Sequence, residues 1–338
     1  MNQMNQSIEL IYSMLDQSSS YMSKQFDKSY LDALIDSAEQ LFQQEMLIDM
    51  NAEQAAKLQE IYDSFNEEAY SKEEMRRGFQ LAVLKGMKEM YTLPGAGVTA
   101  DSVVMFVGYL AQKFLSAARG SSSEQDKPLV ICDPAVGAAN LLTGVCNALG
   151  IPTIGIGAEV DPTMVRLAYV NTNLQQHETE LFHQDGLKPL FTDQCDMIVC
   201  DLPIGIYPND KVAQTYELYK EDEVYTHHLF IEQAIRHVKA GGYMFFVIPN
   251  TLFSEPGADK LRAYITNQAH IQALLQLPSD LFQKGSIQKS IFILQKKGEQ
   301  VKRPDQTLLA QLPPFSNQNR IIDKLQQINE WIQKEKGG

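Results

Sequence analysis

Through the first ninety residues, apolar positions recur at three- and four-residue spacing: Ile8, Ile11, Met14 and Leu15, then Leu31, Leu34, Ile35, Ala38, Leu41 and Phe42, then Leu58, Ile61, Tyr62 and Phe65. That period belongs to amphipathic helices, and it predicts an all-helical N-terminal domain over 1–92. The segment YTLPGAGVTADS breaks the pattern with Pro94, Gly95 and Gly97, and a further helix is expected over 103–118. A polar hinge, RGSSSEQDK at 119–127, then leads into a different texture.

From residue 128 onward short apolar runs alternate with helical stretches. PLVIC, TIGIG, TELFH, DMIVC, GYMFFVIP, IQALLQL and KSIFILQ read as strands, with helices expected over 139–149, 162–174, 226–239 and 258–268. Such alternation predicts an α/β fold, a Rossmann-like, doubly wound, mainly parallel sheet with helices on both faces. Ligands of such sheets bind at the carboxyl ends of the strands. We place this domain over 93–300 and expect 301–338 to be a linker, containing Pro313 and Pro314, followed by a helix over about 319–334.

Composition narrows the partners. The net charge of −13 argues against an indiscriminate grip on phosphate backbones, which depends on lysine and arginine. Only the C-terminal eighty residues are net basic, with 12 basic and 7 acidic side chains; this is either an edge for nucleic acid or a solvated lysine-rich surface. Apolar runs fall well short of the ~20 residues of a membrane span. The N-terminus lacks a secretory pattern, so a cytoplasmic location is expected. Four cysteines, none in C-x-x-C spacing, are expected to be reduced and buried, and no metal site is predicted. His227 and His228 are expected at the surface or as helix caps.

Four successive predicted strands finish on an acid: Asp133, Glu159, Asp185 and Asp201. Any one alone is most simply a turn or cap residue; the series in strand order points to a ligand. After the first strand, the small residues Ala135, Gly137 and Ala139 let backbone N–H groups approach a ligand. Glu159, twenty-two residues past Gly137, stands where a carboxylate meets the vicinal hydroxyls of a ribose. The loop is not G-x-G-x-x-G, however, and Asp133 would repel a pyrophosphate while welcoming an ammonium or sulfonium. This moves the reading from NAD, and from a dehydrogenase, to S-adenosylmethionine.

VICDPAVGAANLL at 130–142 resembles the first motif of class I S-adenosylmethionine-dependent methyltransferases, especially the adenine-N6-specific DNA methyltransferases and the modification subunits of type I restriction systems. GAEVDP at 157–162, HQDGL at 183–187 and GVTADSV at 97–103 resemble further motifs of that family, and the likeness extends over about 97–297. The resemblance implies that Thr99, Asp133, Ala135, Gly137, Glu159, Val160, Asp185, Gly186 and Asp201 bind the cofactor. Asp133 would lie near the methionine amine, Glu159 on the ribose and Asp185 toward the adenine amino group. Ala100 and Ala139 replace the family's usual proline and glycine.

Asp201, Leu202, Pro203 and Ile204 align with the family's (N/D/S)-P-P-(Y/F) tetrapeptide. The resemblance gives Asp201, Leu202 and Pro203 the catalytic task of holding the target amine, while Ile204 lacks the ring that would stack on a base. The expected activity is N-methylation, foremost of adenine N6 in DNA, with RNA and protein amides as other acceptors. A non-catalytic cofactor sensor or assembly partner is the alternative, for which Leu202, Ile204 and the lack of a target recognition domain speak. For the enzyme, target recognition is expected from a protein partner acting through the helical domain; the sensor would work through that same domain. Tyr207 either swings into the site or is simply packed, and 205–225 is either a lid or a solvated loop.

Overall fold

The computed structural model describes residues 3–46, 48–63, 65, 69–90, 98–119, 127–190, 194–220 and 224–336. The Pro94–Gly97 break, all but the ends of the 119–127 hinge and part of the 205–225 loop lie outside the described residues.

Four helices come first: α1 (Gln3–Phe26), α2 (Tyr30–Gln43), α3 (Ala52–Tyr62) and α4 (Lys72–Met90). Their starts are written in the sequence. Ser29 accepts a hydrogen bond from the Asp32 N–H ahead of α2, and Asn51 and Gln54 form a reciprocal capping box ahead of α3. The apolar stripes meet in a core of Ile11, Leu15, Leu31, Leu34, Leu58 and Phe79. That core continues into the next domain through Met164, Leu167 and Val170.

The rest is an α/β sandwich. In chain order it comprises α5 (Asp101–Arg119), β1 (Leu129–Asp133), α6 (Asn140–Leu149), β2 (Thr153–Glu159), α7 (Pro162–Leu174), β3 (Glu178–His183), β4 (Cys195–Asp201) and α8 (Asp210–Ala213). It continues with α9 (Thr226–His237), β5 (Val238–Pro249), α10 (Ala258–Gln268), β6 (Ala269–Gln276), β7 (Lys289–Lys296), β8 (Leu308–Gln311) and α11 (Gln318–Lys336). The sheet runs β3-β2-β1-β4-β5-β7-β6-β8 and is parallel except for β7, which pairs antiparallel with both neighbours. One face is covered by α5, α6 and α11, the other by α9 and α10. All four cysteines are free and buried. Among the described residues no helix is long and apolar enough to cross a membrane.

Two elements differ from expectation. Helix α9 stops at His237 rather than running to 239, because Val238 is already extended and opens β5. The stretch expected to be a linker contains β8, which extends the sheet beside β6 (Ala273↔Leu308 to Gln276↔Gln311). Four residues beside a Pro-Pro pair are too few to show a period. Helix α11 then returns across the sheet, burying Ile328 and Ile332 and setting Trp331 6.0 Å from Phe114 of α5.

Candidate active site

Strand order reverses at β1: the chain adds β2 and β3 on one side, then crosses to β4 on the other. Parallel pairing brings all four carboxyl ends to the same edge. Asp185, Glu159, Asp133 and Asp201 therefore stand side by side in the order of strands β3, β2, β1 and β4.

Asp133 is buried at 1% exposure, and its carboxylate accepts a 3.0 Å hydrogen bond from the Ala135 N–H. Burial pushes its carboxyl up to about 7, with Asp201 and Glu159 adding to the rise; hydrogen bonds from Ala135 and the Cys200 thiol oppose it only in part. Beyond it the backbone turns left-handed at Gly137 (φ 54°) and again at Ala139 (φ 61°), the N-cap residue just before α6. An alanine there costs about 1 kcal/mol where the family's glycine costs little.

Glu159 is locked by the backbone. One oxygen accepts from the Gly137 N–H, the other from the Val160 and Asp161 N–H groups, each at 2.9 Å. The Val160 side chain is exposed. Asp185 accepts from the Leu187 N–H at 3.0 Å and from the Tyr207 hydroxyl at 2.5 Å. Beside it, a Cβ on Gly186 would fall 1.9 Å from the Pro134 carbonyl oxygen. The β1 and β3 loops thus touch backbone to backbone, which only glycine permits.

Asp201 is held from two directions. Thr99 Oγ1 donates to one oxygen at 3.0 Å, and Lys289 Nζ, at the start of β7, forms a 2.6 Å ion pair with the other. The Leu202 N–H donates to the Val247 carbonyl at 3.0 Å, and its side chain is buried. Pro203 is half-buried, while Ile204 and Ile206 are exposed.

Reading the sequence alone misses Lys289 and leaves Tyr207 undecided; the tyrosine is both packed and aimed at Asp185. It also misplaces His227 and His228. They are not surface residues but are 0% and 4% exposed, because the loop before α9 folds over them through the Ile206↔Tyr225 bridge and a Thr226 N–H to Gly205 carbonyl bond.

The donor set suits S-adenosylmethionine. A buried carboxylate short of positive charge fits a ligand bearing an ammonium and a sulfonium. Glu159 already accepts three backbone N–H groups, which leaves about one of its roughly four acceptor sites, on the oxygen bonded to Gly137, for a ribose hydroxyl.

Comparison with known proteins gives the same picture. Residues 110–336 match the N-6 DNA methylase family, and residues 9–87 match the YtxK N-terminal helical domain. The chain is 42% identical over 331 residues to the uncharacterized protein YtxK of Bacillus subtilis, covering 96% of this chain and 98% of that protein. A crystal structure of a Listeria monocytogenes protein, assigned to the class I S-adenosylmethionine-dependent methyltransferases, superposes with a TM-score of 0.87 at 37% identity over 97% of this chain and 99% of that one. The fold is shared as well with a type I restriction-modification methyltransferase subunit from Streptococcus thermophilus (TM-score 0.64, 15% identity, covering 96% and 74%).

Proposed function

The chain belongs to the N-6 DNA methylase family, within the class I S-adenosylmethionine-dependent methyltransferases, and from that premise we propose that it methylates an exocyclic amine, adenine N6 of DNA foremost. The observation that carries the proposal is the pairing of Asp133 and Asp201 at the ends of adjacent parallel strands, one suited to the cofactor and the other to the amine. When bound, the cofactor supplies an electrophilic methyl group on sulfur.

The protein's own residues bind, align and exclude water. Asp133 balances the cofactor's positive charge, Glu159 takes a ribose hydroxyl and Asp185 takes the adenine amino group. Tyr207 either shares Asp185 with that amino group or gives way to it, since each carboxylate oxygen has more than one acceptor site. Asp201 accepts a hydrogen bond from the target amine and aims its lone pair; Thr99 and Lys289 occupy about two of its roughly four acceptor sites and fix its orientation. The Leu202 carbonyl supplies a second acceptor, and Pro203 stiffens the turn. Ile204 gives the base apolar contact without stacking, which forgoes about 1 to 3 kcal/mol of base affinity. The helical segment 1–92 is the surface for a partner that makes up this deficit, and the basic C-terminal residues meet phosphate.

Transfer of labelled methyl to unmethylated genomic DNA, total RNA and cell extract, compared between the native protein and Asp201→Ala, tests the proposal. Asp201-dependent labelling of DNA at adenine N6 supports it. A second reading, a cofactor-binding sensor without turnover, is favoured by the double engagement of Asp201 and by Ile204. It predicts calorimetric binding of the cofactor with no labelling of any acceptor.

A further inference from the structure

The structure assigns a divalent transition-metal site, separate from the cofactor acids, to His227, His228 and Glu255. The two histidines open α9 after the chain has left β4, and Glu255 lies in the turn that follows β5. One potential ligand atom from each lies within 4.8 Å of the other two. Glu255 Oε2 is 2.6 Å from His227 Nε2 and 3.8 Å from His228 Nε2. Around a tetrahedral ion with ligands at about 2.0 to 2.1 Å, neighbouring ligand atoms stand about 3.3 Å apart. The two observed separations bracket that value and no pair of ligand atoms is more than 4.8 Å apart, so side-chain shifts of about 1 to 1.5 Å, shared by Glu255 and the imidazoles, would seat an ion.

Burial makes the cluster more than a chance meeting of polar groups. Of the two imidazole nitrogens buried without a hydrogen-bond partner, His227 Nδ1 and His228 Nε2, the second stands 3.8 Å from Glu255 Oε2 and belongs to the cluster. Such orphans are uncommon, and each costs about 1 to 3 kcal/mol. His228 is also hydrogen-bonded to the Leu252 backbone, and with Nε2 unpartnered that bond falls to Nδ1, leaving the Nε2 lone pair free to ligate. Around these ligands stands a supporting shell. The Thr251 hydroxyl donates to Glu255 Oε1, and the Tyr225 ring sits 5.2 and 5.4 Å from the two imidazoles, shielding them from solvent.

Two imidazoles and one carboxylate are the donor set of zinc and its first-row neighbours rather than of magnesium or calcium. The ion would clasp the turn after β5 to the first turn of α9. That turn is hydrogen-bonded to Gly205, so the ion sits behind the loop that carries Ile204 and Ile206. Three protein ligands leave the fourth position of a tetrahedral ion to water, and the ion sets the position of the acceptor-side loop without touching the cofactor acids.

The test is metal content and spectroscopy of the full-length, tag-free protein, independent of any methyl transfer. After dialysis against zinc, about one ion should be retained per chain, and cobalt substitution should give the visible d–d bands of a four-coordinate site. Glu255→Gln, in an exposed turn, should weaken zinc binding by about tenfold or more while leaving the circular dichroism spectrum unchanged. His228→Cys should keep a metal but add a sulfur-to-cobalt charge-transfer band, which identifies residue 228 as a ligand even if deleting the ligand outright, as in His228→Ala, unfolds the protein. Failure to retain zinc or cobalt would overturn the assignment and leave a metal-free His–Glu pair. Retention unaffected by both substitutions would overturn it too, since the ion would then lie elsewhere.

Discussion

Asp201 illustrates how much a single carboxylate is asked to do at the end of β4. Its neighbours Thr99 and Lys289 fix it, and the proposed amine must find the acceptor sites that they leave. Asp201→Ala should therefore reduce methyl transfer by at least about a hundredfold, on the scale of losing one well-placed hydrogen-bonding group, while cofactor affinity by calorimetry changes little. Lys289→Met tests the fixing separately: it should lower the transfer rate more than it changes cofactor affinity, because the carboxylate stays and only its orientation loosens. Asp133 leads to a pH prediction. Its folded, ligand-free carboxyl sits at about 7, above the ordinary 3.8, so the folded protein binds this proton more tightly than the unfolded chain does. The resulting stability is present at low pH and lost as pH rises through about 7. A cationic cofactor has the opposite preference, for the ionised form. Its affinity should be full above about pH 7 and fall by up to about tenfold per unit below it, a dependence that Asp133→Asn removes along with most of the binding.

Among the elements, the β1 and β3 loops are tied by the approach of Gly186 to the Pro134 carbonyl. A methyl group there would strike backbone rather than a flexible side chain. Gly186→Ala should push Asp185 away from Glu159 and weaken cofactor binding, read by calorimetry, with a smaller loss of thermal stability. At the opposite end of the chain, β8 and α11 complete the sheet and its covering layer. Ile328 is fully buried in the core shared with α5. Ile328→Ala should cost about 2 to 4 kcal/mol in chemical denaturation, which a freely hanging helix would not show.

Across the whole molecule the helical domain is wired into the loop after β1. Arg76 of α4 is fully buried; it forms ion pairs with Glu73 at 2.6 Å and Asp101 at 2.5 Å, and its guanidinium donates to Asn140 Oδ1 at 2.6 Å. The Asn140 amide in turn donates to the Thr99 carbonyl, which also receives the Gln80 amide from α4. The first residue of α6 and the residue that touches Asp201 are thus held in part by the N-terminal domain. Arg76→Ala leaves buried acceptors unpaired and should cost about 3 to 5 kcal/mol. It should also weaken cofactor binding, although Arg76 touches none of the four acids.

The sequence by itself determined most of the elements, β8 excepted, and the kind of chemistry. Helical and strand periods come from residues near one another in the chain, and Asp133, Glu159, Asp185 and Asp201 announce themselves because each follows its own strand. The tertiary structure decided which groups meet. Lys289 reaches Asp201 from 88 residues away only because β7 turns back antiparallel beside β5, a register that no local period encodes. Likewise Tyr207 reaches Asp185 across the β4 loop, Arg76 reaches Asn140 across the domain boundary, and His227 and His228 become buried only once their covering loop has folded. Local spacing specifies a side chain's type and its face. Its partner is set by strand order and loop path, which depend on the whole chain packing at once.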